Sequence, residues 1–465
     1  MKRFGRILGI LLVSILLILF FSISLVDRTP FYLSDYYKKT EARIDSIKSF
    51  TVSVNDSILA GFAKVGITPG LHNGEDNVAE GKFKVVPLAG FGARKGKGAT
   101  GVHDSIFVKA AALKVKNQTV VIVGADLLIM PPNIIDQVSR ILASKGIQRN
   151  QVFYSATHSH SSLGGWGPGF IGEQFAGVEN KNIADWLVQQ ISRAVTTALE
   201  DLHPATIGSG CFNASAYTRN RLIGEFGTKN DDFGYIYIQQ TGGKKAIIGS
   251  YGAHSTTLGA GNMEVSADYP GYWERKMEQT SADLAIFCGG SVGSQSPSGE
   301  GKGFDKPKFI GEALADSLNR NLAGITTEGK IPFSSISLKM ELPPYNVRLT
   351  TRINLKTWLS KKLMPLPENV YLQALRIGKM VWITTPADFS GEYALQIKNS
   401  LTVKGFNANV SGFNGSYVGY IIPGRYFYLD EYEPKIMGWF GPNMGEYTVH
   451  LIRRITDIIT QKEKI

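Results

Sequence analysis

The sequence predicts an α/β fold: a mixed β-sheet core with flanking helices, preceded by one N-terminal transmembrane helix. Three observations carry this expectation. Short apolar runs bounded by Gly, Asn and Pro alternate with segments of helical periodicity to the end of the chain. The interleaving gives a sheet covered by helices rather than an all-β or all-helical body. At the start, residues 7–26 carry no charge and follow Lys2, Arg3 and Arg6.

Twenty helical residues at about 1.5 Å each would reach the roughly 30 Å of a bilayer core. The basic flank would stay cytoplasmic, which expects a single-pass protein with everything after Val26 extracytoplasmic. The alternative is a cleaved signal, with Ser22 and Ser24 as the small residues, and a secreted or periplasmic product. Residues 28–58 read as a tether with a short helix. Residues 59–465 read as one catalytic-size domain.

Within that domain, 120–130 is an apolar run broken only by Asp126 and reads as a buried strand. Pro131 and Pro132 open a helix to about Ser144, and 152–155 is a further strand. Ile183, Leu187, Ile191, Val195, Leu199 and Leu202 fall on one helical face. Strands follow near 233–239 and 246–252, a helix over 270–279, a strand at 282–287, a helix at 309–322 and a strand at 333–341. Residues 370–384 form a hairpin turning at Gly378. Helices near 391–400 and 443–460 flank a last strand at 406–411.

Composition excludes several classes. With 19% charged and 43% hydrophobic residues the chain is not disordered. Two cysteines, Cys211 and Cys288, do not make a disulfide scaffold; they either bridge or stay as buried thiols. The net charge of +11 is spread without a basic run, so no nucleic-acid partner is expected. The glycines around Arg94, Lys95 and Lys97 fit no phosphate-loop spacing and read as a flexible basic loop.

The residues that can carry chemistry cluster at strand ends. His158 and His160 stand two apart just after the strand at 152–155, next to Gly164 and Gly165. On extended chain, residues two apart share a face. The pair reads as metal ligands or as two histidines of a polar loop, and the spacing leaves both open. His254 again follows an apolar strand, where open α/β sheets place ligand-binding groups; a core histidine is the other reading. Asp388 follows the strand ending at Thr384 and could be a solvated loop carboxylate. Gly289-Gly290-Ser291-Val292-Gly293 has the G-x-S-x-G form of a nucleophile elbow, but no helix pattern follows it. His450 alone could serve such a triad as the late histidine.

Taken in order, several islands resemble the neutral/alkaline, non-lysosomal ceramidase family. Gly124-Ala125-Asp126-Leu127 is similar to its N-A-D-[IL] segment, and Ala156–Gly165 to T-H-T-H-S-G-P-G-G. Arg219-Asn220-Arg221, the stretch from His254 to Gly271, Gly293–Ser298, Pro386-Ala387-Asp388-Phe389, Tyr420, Tyr432-Glu433 and Phe440-Gly441-Pro442 follow in family order. The resemblance covers that family's N-terminal catalytic domain. It implies a zinc-dependent amidase cleaving the N-acyl bond of ceramide or a related N-acyl lipid, in sphingolipid metabolism. It implies metal ligands His158, His254, Asp388 and Tyr420. It further implies that His160, Arg221 and Tyr432 contact substrate or the transition state, with Ser296 as the motif serine. Two positions depart from the pattern: Asp388 replaces a glutamate, and Ser294 replaces an aspartate. These departures leave open a metal hydrolase of another amide or ester, or an inactive lipid-binding relative.

Overall fold

The computed structural model describes residues 2–461; Met1 and residues 462–465, and the side chains of Lys2 and Arg3, lie outside it. Twelve of the described strands join in one hydrogen-bonded sheet. They are β1 (Val54–Gly66), β2 (Phe107–Val115), β3 (Gln118–Ala125), β4 (Val152–Ala156), β5 (His203–Asn213), β6 (Asp232–Gln240), β7 (Lys245–Tyr251), β8 (Leu284–Gly289), β9 (Lys330–Met340), β10 (Val370–Ile377), β11 (Met380–Thr384) and β12 (Asn407–Ser411). The longer helices are α1 (Lys2–Ser22), α2 (Asp35–Lys48), α3 (Pro132–Ser144), α4 (Lys181–Glu200), α5 (Asp268–Thr280), α6 (Asp305–Leu322), α7 (Gly391–Thr402) and α8 (Met444–Ile459).

The long strand β1 is the junction. Its start pairs with β9, its middle with β5, and residues 58–66 with β2. The limbs that diverge from it face one another across an apolar layer. Ile122, Phe153, Ile248, Ile286, Phe333 and Trp382 belong to that layer. Gly124 allows the close approach: a Cβ there would lie 2.5 Å from Ile286. Helices α3 and α4 cover the outer face of β2–β4. Helices α5 and α6 cover β6–β8, and α7 and α8 cover β9–β12. Because each limb is buried on both faces, its strands read as continuous apolar runs.

The α/β expectation, a mixed sheet flanked by helices, therefore describes the domain. The transmembrane helix does not: among the described residues no helix is long and apolar enough to cross a membrane. The physical reason lies where α1 ends. The apolar run of 7–26 is helical only to Ser22, a reach of about 24 Å against roughly 30 Å of hydrocarbon. Ile23–Leu25 then form a strand antiparallel to Ile353–Leu355, and Val26 is buried. The membrane anchor and the single-pass location fall with that span.

Within 28–58, Ile44 of α2 is buried with α8 residues in the core, and residues 54–58 belong to β1. The apolar run at 120–130 also divides: β3 stops at Ala125, and Leu127–Met130 continue as buried loop. Cys211 and Cys288 are both free, the first exposed and the second buried, so the bridge is not made.

Candidate metal centre

Three pairs of strands within the twelve-stranded sheet run parallel: β3 with β4, β7 with β8, and β11 with β12. Their carboxyl ends are tied together. Ser155 Oγ donates to the Gly412 carbonyl at 3.1 Å, and the Gly412 N–H donates to the Gly289 carbonyl at 2.9 Å. His158 and His160 follow β4, His254 follows β7, and Asp388 follows β11. Asp388–Phe389 then pairs in parallel with Tyr420–Ile421, which sets Asp388 opposite Tyr420. Gly293 permits this placement, since a Cβ there would meet the Asp388 carbonyl at 2.3 Å.

The histidine pair does not leave β4 in an extended run. β4 ends at Ala156, and His158 adopts a left-handed backbone with φ 61°. A non-glycine residue held there stores about 1–3 kcal/mol of strain, a cost concentrated at functional sites. Phe413, also left-handed at φ 66°, stacks on the His158 ring at 4.3 Å.

The tautomers of two rings follow from their partners. Nδ1 of His158 lies 2.7 Å from the Leu128 carbonyl, and Nδ1 of His254 lies 3.2 Å from the Val292 carbonyl. Carbonyls only accept, so both Nδ1 atoms carry a proton, and in the neutral imidazoles, the form that binds metals, both Nε2 atoms present a lone pair. Those two Nε2 atoms face each other at 2.8 Å. Asp388 Oδ1 stands 3.2 Å from His158 Nε2 and 3.9 Å from His254 Nε2, buried and without a hydrogen-bond donor. Nε2 of His160 completes the group, 3.3 Å from that of His158. His158, His160 and His254 together could hold a metal ion.

Acceptors turned on one another in a dry site repel unless a cation lies among them. The donor set of imidazoles and a carboxylate suits zinc or a similar divalent ion. The residues present thus fit a metal on their own chemistry. Burial, with Arg221 and His158 nearby, pushes the His254 imidazole well below its ordinary range. Burial beside His158 and Arg221 does the same to His160. Both rings stay neutral, the form that coordinates metals.

Tyr420 lies behind this group. Its hydroxyl accepts from Arg221 at 2.9 Å, and Arg221 donates to Glu433 at 2.7 Å. Tyr432 packs edge-on against Tyr420 at 5.9 Å, and its hydroxyl is pushed up to about 12, first by burial and then by Asp388. A cavity of about 380 Å³ adjoins the group, lined by His158, His160, Asp388, Tyr417, Tyr420 and Tyr432, with Asn133, Asp136 and Glu368 as further polar lining. Leu128, Ile129, Trp166, Phe175, Met437 and Trp439 make its walls apolar.

Seven of the eight residues singled out in the sequence gather here; the eighth, Ser296, follows Gln295, whose carbonyl accepts from the His254 N–H at 3.3 Å. Ser296 sits on a short strand opposite Arg219, and its carbonyl accepts from Thr218 Oγ1. The nucleophile-elbow reading fails. Ser291 Oγ is buried and accepts from Asn230, while His450 faces Glu41 at 2.9 Å between α8 and α2. Ser294 has a local duty, its hydroxyl accepting from the Gly391 N–H at the start of α7. An aspartate at that position would likewise face a helix N-terminus.

Three contributors escaped the sequence reading. Arg94, from the supposed flexible loop, is buried and donates to the carbonyls of Ala89 and His160. Phe413 stacks on His158, and Tyr417 donates to Asp388. No spacing rule marks them; the left-handed turn at Phe413 comes from the fold.

Fold and site together define a mixed-sheet α/β protein with a His–Asp–Tyr centre at the floor of an apolar cavity. The family described as neutral/alkaline non-lysosomal ceramidase, N-terminal, matches residues 76–306. His158, His160, Arg221 and His254 lie inside the match, and Asp388, Tyr420 and Tyr432 beyond it. Among solved structures, neutral ceramidase from Pseudomonas aeruginosa is similar, with a TM-score of 0.71 at 18% identity, over 88% of this chain and 74% of that one. A ceramidase complexed with C2 gives a TM-score of 0.72 at 18% identity, over 86% of this chain and 76% of that one. No curated protein matches.

Proposed function

We propose that the protein is a zinc-dependent amidohydrolase that cleaves the N-acyl bond of ceramide or a closely related N-acyl lipid. The observation that carries this reading is the convergence of His158 Nε2, His254 Nε2 and Asp388 Oδ1, all acceptors, at the floor of an apolar cavity. His158, His254 and Asp388, with Tyr420, would hold the ion. When bound, a divalent ion there supplies Lewis acidity toward the amide carbonyl and acidifies water.

The chain's own residues do the rest. Leu128, Ile129, Trp166 and Phe175 take the hydrocarbon of the substrate and exclude bulk water from the amide. His160, neutral at the working pH, accepts a proton from the attacking water and returns it to the leaving nitrogen. Tyr432, whose raised pKa keeps it protonated, donates to the oxygen that gains charge. Arg221, held by Glu433, fixes the phenol of Tyr420.

The test is hydrolysis of a fluorescent N-acylsphingosine by the full chain. Release of the free amine should stop after chelation and return with zinc. Release that chelation leaves untouched, or none in zinc-loaded protein, would contradict the reading.

A further inference from the structure

Asp388 raises a question of reach. Where the resembling family carries a glutamate, this chain has a side chain one methylene shorter. Its backbone is fixed: its N–H donates to the Gly419 carbonyl at 3.1 Å, and the residue pairs with Tyr420 across the short parallel ladder. What remains free is rotation of the carboxylate. A carboxylate can meet a cation with either oxygen or with both, and a rotating one has no preferred choice.

Tyr417 removes that freedom. Its hydroxyl donates to Asp388 Oδ2 at 2.6 Å, a separation typical of a charge-assisted bond. The opposite oxygen, Oδ1, is the one directed at His158 and His254. The Tyr417 ring lies between Phe413 and Trp439, with centroids at 6.4 Å and 6.0 Å, so the hydroxyl is itself held in place. The loop between β12 and the strand at Tyr420 thus buttresses three parts of the centre: Phe413 on His158, Tyr417 on Asp388, and Tyr420 itself.

We propose that Tyr417 is a positioning residue whose hydroxyl pins one oxygen of Asp388 so that the other alone is presented to the metal. This rests on the metal reading above. Partners of this kind, behind the ligands, commonly set metal affinity by about 10- to 100-fold.

The experiment measures zinc affinity by chelator competition in the unmodified full chain and in Tyr417→Phe, together with thermal unfolding of both metal-free forms. The phenylalanine keeps the ring packing and removes only the hydroxyl. Affinity should fall about 10- to 100-fold while the metal-free unfolding midpoints agree. Equal affinities would overturn the proposal. Failure of the unmodified chain to bind zinc would show the metal reading wrong, and the proposal would fall with it.

Discussion

Lys109 and His158 mark two buried polar clusters in the same body, and they are built differently. The Lys109 ammonium meets Glu274 at 2.9 Å, Glu278 at 2.8 Å and the Ala285 carbonyl at 2.8 Å. Its three N–H bonds are used, and Glu274 accepts a further bond from the Phe287 N–H. Asp126, close by, is pushed toward its neutral form by burial and by Glu274. Around the ammonium, donors and acceptors answer one another, although Asp126 Oδ1 beside it is buried without a hydrogen-bond partner. Around His158 they do not: two imidazole lone pairs and a carboxylate oxygen meet with no donor between them, and the group opens on a cavity. A closed buried ion cluster is scaffold; converging acceptors beside a cavity are a ligand site.

Removing one member should have opposite consequences in the two places. The largest effect belongs to Lys109→Ala, which strands Glu274 in the interior, while Glu278 keeps Lys64 at 2.6 Å. Denaturant unfolding should show a loss of about 3–5 kcal/mol, with zinc affinity of the remaining folded protein unchanged. A loss below about 1 kcal/mol would mean that the cluster does not brace the fold.

Tyr432→Phe acts on the other side. It should lower kcat about 10²- to 10³-fold, with zinc content and unfolding midpoint preserved. A change confined to KM would reassign Tyr432 to substrate binding.

The smallest effect is in pH. His160 and His254 have depressed folded-state values, so the unfolded chain binds protons first as pH falls below about 6.5. Their stabilising contribution is present above that pH and is lost below it, by up to about 1.4 kcal/mol per pH unit for each ring. Unfolding of the metal-free protein from pH 7 to 5 should show this slope, and His254→Gln should reduce it. An unchanged slope in the variant would place the titration elsewhere.

Much of the fold was legible because burial on both faces leaves long apolar runs and clear helical stripes, as in β3, α3, α4 and the β10–β11 hairpin. β2 and β5 were not legible: one is broken by Lys109 and the other is rich in Gly, Ala and Pro. Lys109 reads as a surface residue until its two glutamates are known, and they lie far along the chain. The apolar loop at Leu127–Met130 looks like strand because periodicity cannot separate a buried loop from a buried strand. At the site, the residue pattern put His158, His254 and Asp388 at strand ends and left their role open, and only the family resemblance joined them with Tyr420 in one centre. Arg94 and Tyr417 act through contacts that only tertiary structure creates. The first helix misled for a local reason, since its last apolar residues pair with Ile353–Leu355 rather than continue the helix.

The most direct measurement is zinc titration of the purified full chain, beside His158→Ala and His254→Ala. One equivalent of tightly bound zinc in the unmodified chain, and none retained by either variant while both stay folded, is the expected result. Zinc held equally by all three proteins, or by none of them, would contradict a centre built from these side chains.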